Sequence, residues 1–283
     1  MQVDTTGKIS LDHIYTQPDP RAYFGTLRKL DYYIPQVARP HFAELIQEYR
    51  EIREVPSPTV LDLGCSYGIN AALLRCGASM DELYERYCDG DAAAQTRGGL
   101  LARDRELVQS RDRPRRARFL GLDSSGDALS YALGAGFIDG AVNADLEEND
   151  LTGAQREELS GTDLVISTGC VGYVTEKTII RVVEAQDGHK PWMAHFVLRM
   201  FPFAPVADRL AEAGYETVHR EGLFKQRRFA TSQEQTLVLD SLSDAGVDPA
   251  GLETDGWLYA QLYVSRPVDT DARTIIDLAS TEK

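Results

Sequence analysis

Basic residues are scarce in this chain. Thirty Lys and Arg stand against forty-four Asp and Glu among 283 residues, a formal net charge of −14. That excess repels phosphate backbones and anionic headgroups, which argues against nucleic-acid or membrane partners. Cysteine is sparse as well: the four, at positions 65, 76, 88 and 170, include no Cys-x-x-Cys pair. They form no disulfide framework for a chain of this size, and the histidines offer no His-x-x-x-His, so free thiols and no metal site are expected. Long apolar runs are missing. No uncharged stretch exceeds twelve residues, the length of Leu164 to Thr175 with its two glycines, too few to span a bilayer. The opening MQVDTTGKISLDH lacks a basic start and an apolar stretch, so no secretory signal is visible and a cytoplasmic location is expected.

What is present is ample apolar material, 43% of residues, enough to build a buried core. Residues 1–55 read as a helical N-terminal cap. Asp19-Pro20 is a cap followed by Pro at the first helical position, opening AYFGTLRKLDYY, and a second helix starts near Pro40. From Thr59 the chain alternates strands and helices. TVLDL, ARFLGLD, GAVNADL, DLVIST, PWMAHFVLR, YETVHR and WLYAQLYVSR are the seven strand candidates. Their alternation with INAALLRCG, GDALSYALGAG, EKTIIRVVEAQ and PVADRLAEAGY implies an α/β, doubly wound, mostly parallel sheet covered on both faces. A capping box from Ser232 to Gln235 opens one more helix over about 233–245. The α/β domain is expected over 56–268, followed by a tail over 269–283.

Two stretches exceed what such a core needs. Asp62 and Asp123, at the ends of the first two strands, lie 61 positions apart, where one strand–helix–strand unit needs roughly 20. The excess, about 80–118, reads as a helical insertion. It carries the dense basic cluster Arg111, Arg113, Arg115, Arg116 and Arg118, read as a solvated helix end, with an anionic-substrate or acidic-carrier site as the alternative. A cap insertion is expected at about 221–256, where LFKQRRFA and its helix form the other wall of the acceptor pocket, with Lys225, Arg227 and Arg228 as surface charges and substrate clamps as the alternative.

The chemistry concentrates in TVLDLGCSYGINAALL. Here a strand delivers Asp62 to its end, and Gly64, Ser66 and Gly68 turn the chain into a helix whose free N–H groups suit a carboxylate or phosphate. The second strand ends in Gly121-Leu122-Asp123, where a carboxylate suits a ribose diol. The third ends in Asn143-Ala144-Asp145-Leu146, where Asp145 could bond an adenine amino group and Leu146 flank the ring. Three acids at neighbouring strand ends would hold one adenosine-type ligand.

This order, strand-DxGxSxG-helix, strand-D, strand-D, resembles the class I S-adenosylmethionine (SAM)-dependent methyltransferases over roughly 59–205, with a late strand–helix–strand–strand tail to 266. The resemblance implies that Asp62, Gly64 and Ser66 border the methionine moiety, Asp123 the ribose, and Asp145 with Leu146 the adenine. Thr168 and Gly169 would sit beside the sulfonium, and Cys65, Ser124 and Tyr23 complete the expected cofactor contacts. The family usually carries glycine where this chain has Ser66, and a shorter link between the first two strands. A nicotinamide-binding Rossmann fold is the competitor, but an acid opening the glycine turn would repel a pyrophosphate.

A methyl sulfonium mainly needs an in-line nucleophile in a dry pocket. Tyr173, after the fourth strand, is the candidate to stabilise the cation; packing under the next helix is the alternative. His195 reads as a core histidine, His13 and His41 as structural, and nothing marks His189 or His219. Tyr15, Tyr23, Phe24, Tyr32 and Tyr33 form an aromatic set in the cap, mostly core, able to close over a cofactor. The leading expectation is a methyltransferase acting on a small molecule, in specialised metabolism. The alternative is a cyclase that closes the aminobutyrate chain of SAM to azetidine-2-carboxylate and releases methylthioadenosine, with the cap tyrosines and Tyr173 as an aromatic cage and Asn143 holding the amine. A non-catalytic SAM-binding protein is the third reading. The expected partner is a small-molecule substrate, or SAM alone, with a homodimer possible.

Overall fold

The computed structural model describes residues 12–111 and 117–268. Arg113, Arg115 and Arg116 of the basic cluster, the first eleven residues and the 269–283 tail lie outside the described residues. The chain opens with helices α1 (Asp12–Tyr15), α2 (Arg21–Arg28) and α3 (Ile34–Ile52). Strand β1 (Thr59–Leu63) and helix α4 (Ile69–Cys76) follow, then the insertion helices α5 (Met80–Cys88), α6 (Gly90–Ala94) and α7 (Arg97–Arg111). Next come β2 (Arg118–Asp123), α8 (Gly126–Ala135), β3 (Gly140–Asn143), α9 (Gly153–Leu159), β4 (Leu164–Thr168) and α10 (Glu176–Glu184). The rest is β5 (Trp192–Leu198), α11 (Ala204–Glu212), β6 (Tyr215–Arg228), α12 (Ser232–Asp244) and β7 (Trp257–Pro267).

The strands form one seven-stranded sheet in the order β3-β2-β1-β4-β5-β7-β6. β1 to β5 pair in parallel, while β7 runs antiparallel to both β5 and β6. β1, β2, β4 and β5 are almost wholly buried, the pattern of strands covered on two faces. One core packs the cap and insertion helices on the sheet through Phe24, Phe42, Tyr67, Tyr131 and Trp192. The other packs the opposite face around Leu61, Leu120, Val165, Ile179 and Leu210. Among the described residues, no helix is long and apolar enough to cross a membrane.

The insertion is part of the first core. Asp104, fully buried on α7, accepts 2.6 Å hydrogen bonds from Tyr87 of α5 and Tyr131 of α8, and pairs with Arg86 at 3.1 Å. A buried carboxylate satisfied this way joins three helices that are remote in sequence.

Several expected boundaries move. α2 stops at Arg28, because Asp31 takes a left-handed φ of +51° that a helix cannot continue through. α3 starts six residues before Pro40, at Ile34, with Pro35 in the first turn where a missing N–H leaves no bond unmade. α9, absent from the sequence reading, opens with a full Thr152–Gln155 capping box. The box expected at Ser232 belongs one residue earlier: Thr231 Oγ1 accepts from Glu234 N. The cap insertion also begins later than 221, because Phe224 to Arg228 extend β6 and pair with Trp257 to Ala260.

Candidate functional site

In this strand order the chain leaves β1 toward β2 on one side and reaches β4 on the other. The carboxyl ends of β1 and β4 therefore flank the topological switch point, where open α/β sheets bind ligands. A cavity of about 570 Å³ lies there, within the usual span of small-molecule sites, roughly 300–1,000 Å³. The segments after β1 (Leu63 to Ser66), β2 (Leu122 to Ser125), β3 (Ala144 to Glu148) and β4 (Thr168 to Cys170) all line it. Tyr15, Tyr23 and Tyr32 contribute from the cap, and Gln226 and Arg227 from β6.

The β1–α4 turn depends on three left-handed residues, Gly64, Ser66 and Gly68. Gly64 has φ +68°, and a Cβ there would lie 2.7 Å from Cys170 Cβ. Ser66, where the resembling family shows glycine, holds φ +50° and so takes the same backbone without glycine's freedom. Its amide donates to Asp123 Oδ2 at 2.9 Å, while Ser125 N donates to Asp123 Oδ1 at 2.8 Å. Burial pushes the Asp123 carboxyl up, against the pull of these amide bonds. Asp145 caps its own turn, accepting from Glu147 N at 3.0 Å, and buried Leu146 lies beside it on the wall.

Asp62 sits behind this wall. It is fully buried and accepts a 2.9 Å bond from Asn70 Nδ2, which also reaches Thr168 Oγ1 at 3.1 Å. Burial, with the nearby Asp123 charge, lifts its pKa to about 7, while the Asn70 bond acts in the opposite direction. Asp62 Oδ2, Asn70 Oδ1 and Ser66 Oγ are buried without hydrogen-bond partners. Two carbonyl-type oxygens and a hydroxyl left unpaired there are an unmet demand for hydrogen-bond partners.

Of the residues expected to contact a cofactor, Gly64, Cys65, Ser66, Asp123, Ser124, Asp145, Leu146, Thr168, Gly169 and Tyr23 all line the cavity. Asp62 does not; it acts through Asn70. Tyr173 lines the cavity, is 43% exposed, and lies 6.4 Å from the Phe201 ring. Asn143 does not reach the cavity. Its amide donates to the carbonyls of Asp123 and Ser124 at 3.0 and 2.9 Å, so it holds the β2–α8 turn. The aromatic set divides: Phe24 stacks on Tyr87 at 4.6 Å, and Tyr33 donates to Asp81 at the surface. His195 is fully buried, with Nδ1 2.8 Å from Ser167 Oγ, and burial lowers its pKa to about 4.

The sequence places LFKQRRFA on the acceptor wall but singles out neither Asn70 nor Gln226, and reads Arg227 as a surface charge. Asn70 lies in an otherwise apolar helix, and its polarity within INAALL was the available signal. Gln226 and Arg227 reach the wall through a bulge: Lys225 pairs with Tyr259 and Arg227 with Leu258, leaving Gln226 between them. Both are buried, so the surface reading of Arg227 is corrected. Its guanidinium forms two bonds to buried Glu234, at 2.7 and 3.0 Å, and that carboxylate absorbs the charge. Lys225 and Arg228 do stay outside, over the Trp257 ring.

Sheet order, the antiparallel last strand and a cavity at the switch point are together the class I methyltransferase fold. The chain matches no family model and no curated protein. Among solved structures it is similar to magnesium protoporphyrin IX methyltransferase from Synechocystis PCC 6803 with bound SAM, at 12% identity over 81% of this chain and 80% of that one, TM-score 0.36. It is also similar to a SAM-dependent methyltransferase from Aquifex aeolicus, at 11% identity over 91% and 99%, TM-score 0.39. A third is the plantazolicin methyltransferase in complex with SAH, at 10% identity over 80% and 82%, TM-score 0.38. These are distant likenesses of fold.

Proposed function

We propose that the protein is a SAM-dependent methyltransferase acting on a small molecule. The observation that supports this most is that four consecutive parallel strand ends share one cavity, with Asp123 and Asp145 on its wall. The residues present fit SAM. Unpaired polar atoms beside the cavity match a ligand rich in hydrogen-bonding groups, and the wall carboxylates Asp123, Asp145, Glu147 and Glu148 suit a cationic sulfur. Asp123 would take the ribose hydroxyls, Asp145 and Leu146 the adenine, and the Gly64 to Ser66 turn, backed by Asn70 and Asp62, the aminobutyrate end.

When bound, SAM supplies a methyl group activated on a sulfonium. The chain's own contribution is placement and dryness. Tyr15, Tyr23 and Tyr32 wall off water on the cap side, and Tyr173 offers an aromatic face on the outer side. No histidine lines the cavity among the described residues, so no imidazole base is assigned. Gln226 and Arg227 bound the acceptor side. Because Glu234 neutralises Arg227, that side holds no free cation, which favours a neutral or positively charged acceptor over a carboxylate.

The cyclase reading gave the folded-back chain an aromatic cage of cap tyrosines and Tyr173, with Asn143 on its amine. Tyr15, Tyr23, Tyr32 and Tyr173 do line the cavity, but Asn143 is spent on backbone carbonyls, which leaves the amine without the partner assigned to it. Incubation of the purified protein with SAM, analysed by mass spectrometry, tests both. The expected result is intact SAM until a metabolite extract is added, then S-adenosylhomocysteine. Methylthioadenosine formed without extract would overturn the methyltransferase, and absence of SAM binding by calorimetry would overturn both.

A further inference from the structure

A second cavity, of about 830 Å³, lies away from the switch point, against the amino-terminal end of β2 at Ala117 and Phe119. Its wall comes from three helices far apart in sequence. Arg39 and Arg50 stand on α3, Arg75 near the end of α4, and Arg111 at the end of α7. Among the described residues this lining carries four arginines and no acid, in a chain of net charge −14.

Two of the four are already neutralised: Arg75 by Asp139, and Arg111 by Glu82 at 2.8 Å. The other two form no ion pair with the described residues. Arg39 Nη1 donates to the Ala78 carbonyl at 3.3 Å, and Arg50 donates to the Pro56 carbonyl and to Gln47 Oε1 at 2.9 and 3.0 Å. A guanidinium carries five N–H donors, so each keeps several for a ligand, along with its full charge. The carbonyl bonds fix the two stems, which lowers the entropy lost on binding.

We propose that this cavity binds a small polyphosphate-bearing molecule, held between Arg39 and Arg50. A guanidinium matches the paired oxygens of a phosphate in a two-bond fork, and two such forks suit a ligand with more than one phosphoryl group. The volume suits a small molecule rather than a face for a macromolecule. Helix α4 lies between the two cavities: Ile69 and Asn70 at its start line the first, and Leu74 to Cys76 at its end line the second. The proposal does not depend on the methyltransferase reading.

Titration calorimetry of the full chain with sodium tripolyphosphate, ATP and adenosine tests it. Saturable binding of tripolyphosphate and ATP is expected, without binding of adenosine at this site, weakening as salt rises from 50 to 200 mM. Arg39→Gln/Arg50→Gln should lose at least tenfold in tripolyphosphate affinity, while Arg220→Gln, on the far ion pair with Glu44, should lose nothing. Should the double variant unfold, Ser110→Glu puts a carboxylate on the wall while keeping every arginine, and should abolish binding as well. Unchanged affinity in these variants, or no saturable binding to the wild type, overturns the proposal. An acidic protein that binds where tripolyphosphate does not would also overturn it.

Discussion

Replacing Asp62 by Asn should stabilise the protein while weakening its hold on SAM, and the gain should grow with pH. In the folded chain the carboxyl, ordinarily near 3.8, is pushed up to about 7, chiefly by burial. Between those values the native state keeps a proton that the unfolded chain has released, so stability falls as pH rises and levels off above 7. Taken in full, the displacement removes roughly 1–2 kcal/mol at pH 5 and about 4 kcal/mol at pH 8, both upper bounds. Asparagine keeps an oxygen for Asn70 Nδ2 and carries no charge to desolvate. Urea unfolding at the two pH values measures the difference. The variant's advantage should be larger at pH 8 than at pH 5, with calorimetry showing weaker SAM binding at both. An advantage equal at the two pH values, or a net loss of stability, would refute the reasoning.

Three further outcomes follow from the same geometry. Asp123→Ala removes the acceptor assigned to the ribose hydroxyls and should weaken SAM binding by about 2–3 kcal/mol, read by calorimetry; retained affinity would place the ribose elsewhere. Ser66→Gly should raise the melting temperature by relieving a left-handed serine worth on the order of 1 kcal/mol, whereas Gly64→Ala, with its Cβ 2.7 Å from Cys170 Cβ, should lower it. Glu234→Gln leaves buried Arg227 unpaired and should cost about 3–5 kcal/mol in chemical denaturation, with Arg227→Met in the same chain recovering much of it.

The strands and the acids at their ends were legible because each is a local pattern: an apolar run, then an acid, then a glycine turn. Ten of the expected contact residues meet at one cavity for that reason. Asn143 was misread because alternation along a strand gives a residue's position, not its partners. Only the fold shows two carbonyls of the neighbouring turn within reach of its amide. Arg227 was misread because a basic run looks solvated, and a bulge that turns two successive residues inward leaves no periodic trace. Of the basic cavity only Arg111 was marked in sequence, within a cluster given an anionic-site alternative, because Arg39, Arg50 and Arg75 join it only through tertiary packing.

The way the cap is fastened decides how a ligand enters. Tyr67 donates to the carbonyls of Ile14 and Gln17, Ser125 Oγ to the carbonyl of Tyr15, and the amide of Tyr33 to the carbonyl of Gln226. Backbone ties at both ends, together with the burial of Tyr23, Phe24 and Leu27, make this segment a fixed roof rather than a swinging door. Traffic must then use the opposite rim, where Tyr173, Asp145 and Glu148 stand in solvent, and bulky substituents at that doorway should slow exchange without disturbing the hinge-free wall behind it.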